Sequence, residues 1–66
     1  MALVGTGVGT KHARMYQTLP DLYELTAVCE IDDQRRNKFV DQIGVGFQTN
    51  RLEDLFSQDL DLIDIC

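Results

Sequence analysis

The stretch Leu3-Val4-Gly5-Thr6-Gly7-Val8-Gly9-Thr10 decides how the rest of the chain is read. Apolar residues run directly into three closely spaced glycines, and a helix start follows. A buried strand that turns sharply into a helix has this form. Glycine tolerates φ > 0 and lets another group approach the backbone with no Cβ in the way. The first N–H groups of a helix lack intrahelical acceptors and lie at the positive end of its macrodipole. These properties suit a bound phosphate, so the stretch reads as a nucleotide-binding turn.

On its amino-terminal side, Met1 to Val4 is a short strand. On the other side a helix starts near Val8–Lys11 and runs to Leu19, with Met15 or Tyr16 and Leu19 spaced as a buried stripe. Pro20-Asp21 ends it, because the residue before proline avoids the helical region. Leu22 to Ile31 reads as a second strand, strongest from Leu25 to Cys29. Its nearly continuous apolar run predicts burial on both faces, as in a parallel sheet. Asp32 or Asp33 can cap a second helix that places Phe39, Val40 and Ile43 on one face and Gly44 just past its end.

Val45 to Thr49 is a brief third strand. Asn50-Arg51-Leu52-Glu53 has the form of a capping box with Asn at the cap, predicting a short third helix that buries Leu52, Leu55 and Phe56. After a turn at Ser57-Gln58-Asp59, Leu60 to Cys66 is a fourth strand. The pattern β-α-β-α-β-α-β implies an α/β fold with right-handed crossovers and a parallel sheet covered on both faces. A central first strand gives the order 3-2-1-4, which is part of a doubly wound Rossmann fold. Residues 1–66 therefore read as the N-terminal part of one dinucleotide-binding domain. An apolar last strand at an open edge leads us to expect further strands in a longer parent. In this order Cys29 and Cys66 end strands two spacings apart, too far for a disulfide, so two free and mostly buried thiols are expected.

Composition narrows the function. A chain of 66 residues with net charge −5 and six Lys and Arg is a poor nucleic-acid binder. The one basic cluster, Arg35-Arg36-Asn37-Lys38, is flanked by Asp32, Asp33 and Asp41 and reads as a solvated helix face. Two cysteines and one histidine, without a CxxC, predict no structural zinc site. No apolar run approaches the roughly 20 residues of a membrane span. The expected setting is reducing and cytoplasmic.

Glu30 gives the turn its context. It lies about 20 residues past the last glycine, at the end of the second strand, where a dinucleotide fold places the acid that holds ribose hydroxyls. A carboxylate there accepts from the 2′- and 3′-OH and repels a 2′-phosphate, which favours NAD over NADP. Nearby Arg35 and Arg36 soften that preference. His12 reads as a packing or helix-stabilising residue, and Asp64 as a residue on the partly exposed side of its strand or capping a neighbouring loop.

The order Gly-x-Gly…His12-Ala13, Leu19-Pro20, Ala27-Val28-Cys29-Glu30-Ile31-Asp32, then Arg35, then Asp61-Leu62-Ile63-Asp64-Ile65-Cys66 resembles the amino-terminal part of the Gfo/Idh/MocA family, the glucose–fructose oxidoreductase and inositol dehydrogenase group. The resemblance covers the whole chain. It implies that Gly5, Gly7, Val8, Gly9 and Thr10 form the cofactor turn, that Glu30 contacts ribose, and that Ile31 and Arg35 flank adenine. It also implies a homo-oligomeric parent that moves hydride between NAD(P) and a sugar or cyclitol alcohol. In the family a Thr-Pro pair follows the fourth strand, and a Glu-Lys-Pro motif further on supplies the acid/base lysine. The 66 residues contain neither motif, so no catalytic residue is assigned and no turnover is expected of the chain alone. The sequence departs from the family in two ways. Gly5 to His12 is one residue shorter than usual, and Thr10 stands where a third small residue packs helix against strand.

Two other functions stay open on the residues alone. An S-adenosylmethionine-dependent methyltransferase uses a similar Gly-x-Gly-x-Gly turn, but commonly carries an acid where this chain has Leu3. A non-catalytic nucleotide-binding or sensor module is the other.

Overall fold

Strands and helices alternate along the chain: β1 (Ala2–Val4), α1 (Gly9–Gln17), β2 (Ala27–Cys29), α2 (Asp33–Ile43), β3 (Phe47–Thr49), a 3-10 helix (Leu52–Ser57) and β4 (Ile63–Ile65). The computed structural model describes all residues from Met1 to Cys66. The strands form one sheet in the order β3-β2-β1-β4, and every pairing is parallel. Leu3 stands beside Val28 on one side and Asp64 on the other. The order 3-2-1-4 and the partial Rossmann architecture are thus as the sequence implies.

Alternation along the strands sends successive side chains to opposite faces. Leu3 and Val28 face α1 and α2, where they form one core with Ala13 and Phe39. Ala2, Ala27 and Cys29 face the other way and pack against Leu55 of the 3-10 helix. All three residues of β2 are buried, because each face is covered and a strand lies on each side. Asp32 caps α2 by accepting the Arg35 N–H at 3.0 Å, and Gly44 ends it with φ 79°. No helix is long and apolar enough to cross a membrane.

Several elements differ from expectation. β2 keeps only the last part of Leu22–Ile31, because the Leu22 and Tyr23 N–H groups both donate to the Leu19 carbonyl at 3.0 Å. That turn consumes groups a strand would need. α1 ends at Gln17 and meets the sheet through Gly9 and Ala13, with Tyr16 half-buried; Met15 and Leu19 are exposed. The small residues bring the helix in close and leave Met15 on the outer side.

The third helix is 3-10, and Asn50 does not cap it. Thr49 fixes the turn instead, its hydroxyl accepting from the Arg51 N–H at 3.1 Å and donating to Asp54 at 2.5 Å. With three residues per turn, Leu55 reaches the sheet and Phe56 is rotated off its line. Phe56 is exposed as a result, and Leu52, in line with Leu55 at the start of the helix, is exposed as well. β3 and β4 are likewise shorter than Val45–Thr49 and Leu60–Cys66. Both cysteines are free, but only Cys29 is buried; Cys66 is exposed.

Two outcomes follow from this packing. A thiol reagent will modify Cys66 in the folded chain and Cys29 only after unfolding in urea, which a colorimetric thiol titration reads directly. Phe39 is among the largest fully buried side chains, so Phe39→Ala will cost roughly 3–5 kcal/mol, measured by urea denaturation.

Candidate functional site

The sheet order reverses at β1, which has β2 on one side and β4 on the other. In open α/β sheets the crevice at the carboxyl ends of the strands beside such a reversal receives ligands. Here that place is filled by the turn from β1 to α1. The Gly5 N–H donates to the Cys29 carbonyl at 2.9 Å, which continues the β1–β2 ladder by one step. Gly5 has φ 88°, and a Cβ there would stand 3.1 Å from the Cys66 carbonyl oxygen. Conformation and space both demand glycine at that position.

Thr6 is buried and tied to Glu30: its N–H and its hydroxyl each donate to Glu30 Oε1 at 2.8 Å. Its carbonyl accepts the Thr10 hydroxyl at 2.5 Å, which closes the turn. Gly7 and Val8 are exposed. Gly9 is buried, and a Cβ on it would meet Leu3 Cδ2 at 2.9 Å. The close helix–strand contact assigned to the position of Thr10 therefore falls on Gly9. Thr10 lies one place further along the helix and acts through its hydroxyl.

The backbone N–H groups of Gly7, Val8, Gly9 and Thr10 have no acceptor anywhere in the chain. They open α1, whose first turn carries no acidic side chain. A hollow of about 320 Å³ beside them is lined by Thr6, Gly7, Thr10, Arg35, Lys38 and Gln42. Neither Arg35 nor Lys38 is paired with a carboxylate. Arg35 Nη1 lies 3.9 Å from where a Gly7 Cβ would be. Unpaired donors, a positive helix end and free cations on one side of the turn fit a phosphate ester. A larger hollow of about 500 Å³ lies near Met1, at the opposite, amino ends of the strands, and its rim of Asp21, Glu24, Asp59 and Asp61 is anionic.

Glu30 follows β2 directly and ties three segments together. Its N–H donates to the Thr49 carbonyl at 2.9 Å, Oε1 holds Thr6, and Oε2 accepts the Asp32 N–H at 3.0 Å. Burial pushes the carboxyl up in pKa, but the hydrogen bonds from Asp32 and Thr6, aided by the Arg35 charge, outweigh it and hold it below the usual carboxylate range. Ile31 is exposed beside it. The basic cluster is not one solvated face. Arg36 is half-buried and donates to the Glu30 carbonyl at 2.9 Å and to Asp33 at 2.6 Å, so it secures the end of β2. Arg35 and Lys38 turn toward the hollow.

A second constellation gathers residues the sequence reading kept apart. Asp64 Oδ2 accepts the Tyr16 hydroxyl at 2.6 Å and His12 Nδ1–H at 2.8 Å. Cys66 Sγ lies 3.3 Å from the same His12 nitrogen. The Tyr16 and His12 hydrogen bonds hold the Asp64 carboxyl below its usual range against the effect of burial. The same bond, with burial and the Asp64 charge, pushes the Tyr16 phenol up to about 12. Burial, then the Asp64 charge, push the Cys66 thiol up. Asp64 is half-buried, on the partly exposed side of its strand, and it holds side chains of α1 rather than capping a loop. The sequence held a signal for this: His12 and Tyr16 are four apart on one helix face, and Asp64 is an acid inside an apolar strand.

The lowered Glu30 pKa has a pH consequence. Its carboxylate bonds contribute stability that is complete above the unfolded value of 4.5 and is lost as pH falls through the lower folded value. Glu30→Gln removes that component, so the stability gap between parent and variant will shrink on going from about pH 7 to about pH 3. Urea midpoints measured across that range check it.

Comparison with curated proteins found no match, and comparison with solved structures found none. The family model GFO_IDH_MocA, an oxidoreductase family with an NAD-binding Rossmann fold, matches residues 1–66. Because that match spans the whole of a fold whose glycine turn opens at the strand-order reversal, the chain belongs to the Gfo/Idh/MocA family as an NAD-binding Rossmann module.

Proposed function

We propose that residues 1–66 form the amino-terminal part of a dinucleotide-binding domain whose glycine turn holds the diphosphate of NAD. The observation that carries this reading is the run of unpaired N–H groups from Gly7 to Thr10 at the positive end of α1. Gly5 makes the turn and Gly9 seats the helix. Gly7 and Val8 present bare backbone to the diphosphate, and Thr10 adds its N–H. Ile31 and the Arg35 guanidinium flank the adenine.

Glu30 faces the ribose in this reading. Its Oε1 already accepts two hydrogen bonds and its Oε2 one, so Oε2 keeps room for a ribose hydroxyl. An ionised carboxylate there opposes a 2′-phosphate, which favours NAD over NADP. Arg35 and Lys38 reduce that discrimination without reversing it.

When bound, the nicotinamide supplies the hydride acceptor or donor. The chain's own residues bind and orient it. For the parent we propose oxidation of a sugar- or cyclitol-type alcohol in a homo-oligomer, resting on the family resemblance. The chain alone does not turn over, because no Glu-Lys-Pro lysine is among its residues to take the hydroxyl proton. Two unpaired thiols fit a reducing, cytoplasmic setting.

Calorimetric titration tests the reading. NAD is expected to bind more tightly than NADP, and S-adenosylmethionine not to bind. In Gly7→Ala the new Cβ meets nothing but Arg35 Nη1, at 3.9 Å, so the urea midpoint stays unchanged. The same methyl group stands between backbone and diphosphate, and NAD affinity will fall at least tenfold, about 1.4 kcal/mol. Unchanged NAD affinity in that variant, or a preference for S-adenosylmethionine, would overturn the proposal.

A further inference from the structure

His12, Asp64 and Cys66 bring three kinds of donor atom to one point. His12 Nδ1, a carboxylate oxygen of Asp64 and Cys66 Sγ all lie within 4.8 Å of one another. They come from opposite ends of the chain, His12 from α1, Asp64 from β4 and Cys66 from the residue just past β4. Imidazole, carboxylate and thiolate together suit borderline metals such as zinc, whereas magnesium and calcium take oxygen ligands.

The spacing also suits such an ion. Tetrahedral zinc with bonds of about 2.0 Å to nitrogen and oxygen and about 2.3 Å to sulfur needs donors about 3.3 Å (N to O) and about 3.5 Å (N to S) apart. In the chain the corresponding separations are 2.8 Å and 3.3 Å. Opening them takes a few tenths of an ångström. The Tyr16 hydroxyl already donates to Asp64 Oδ2 at 2.6 Å, a hydrogen bond that fixes the carboxylate's orientation. The His12 side chain is 40% exposed and Asp64 18%, so an ion can enter from solvent.

We propose that His12, Asp64 and Cys66 form a three-ligand site for a divalent metal of the zinc class, with the fourth position open to water. On binding, the Cys66 thiol proton leaves to solvent, and the imidazole proton moves from Nδ1 to Nε2 through solvent, so both donor atoms present lone pairs. The metal then joins α1 to β4 at the wall of the glycine turn, where Cys66 Sγ lies 3.5 Å from the Cβ position of Gly9. This site does not depend on the dinucleotide reading.

Cobalt(II) titration of the reduced chain under anaerobic conditions tests it. One equivalent is expected to bind, with a thiolate-to-cobalt charge-transfer band in the near ultraviolet, and zinc will displace it. Cys66→Ser should abolish the band, and Cys29→Ser, at a buried thiol outside the cluster, should keep it. His12→Gln should weaken binding at least tenfold, and Tyr16→Phe should weaken it roughly tenfold while retaining the band. Absence of saturable binding, a band that survives Cys66→Ser, or wild-type affinity in His12→Gln would each sink the proposal.

Discussion

The contact between Gly9 and Leu3 is the constraint on which the rest of the molecule depends. Leu3 is fully buried in the central strand, and Gly9 lets α1 come down onto it where any side chain would collide at 2.9 Å. Close approach at that point buries Ala13 one turn later and brings Tyr16 over the sheet. It aims the unpaired N–H groups of Gly7 to Thr10 over the carboxyl ends of the strands. It also sets His12 and Tyr16 against Asp64. One missing Cβ thus governs the core, the donor turn and the polar cluster together.

Glu30 plays the complementary part from the neighbouring strand. Burying a carboxylate costs desolvation, yet Glu30 stays ionised because three donors satisfy it and the Arg35 charge assists. Those donors come from the turn and from the entry to α2. The carboxylate therefore reports the relative placement of both segments. Arg36, reaching to the Glu30 carbonyl and to Asp33, fixes the same junction from outside.

The sheet was legible in the sequence because its signals are local. Glycines after an apolar run, the proline at position 20, Asp32 before a helix and Gly44 after it each act within a few residues. Strand lengths were overestimated because Leu22 and Leu60 are apolar without being paired in the sheet. Asn50 has the form of a cap, but the helix begins only at Leu52, and the Thr49 hydroxyl, placed by β3, orders the turn by accepting the Arg51 N–H. The place of Glu30 just past β2 follows from its spacing, whereas its bonds to Thr6 depend on how the turn folds back. The Asp64 cluster escaped notice since Tyr16 and Asp64 are 48 residues apart, and only the β1–β4 pairing brings them together.

The pairing of β1 with both β2 and β4 has a consequence for how the chain comes together. Ala2 stands opposite Ala27 on one side and Ile63 on the other, so the first strand made receives its second neighbour from the last. Every strand pair here is parallel, with a helix in between and no hairpin to nucleate it. Closing such long loops costs entropy before any contact rewards it, and high contact order slows folding. During synthesis the β1–α1–β2 unit is complete early, while one edge of its central strand waits unpaired until Ile63 to Ile65 emerge. For that interval a strand that ends in the interior of the finished sheet is an exposed template, and the speed with which β4 arrives sets how long it stays open to the wrong partner.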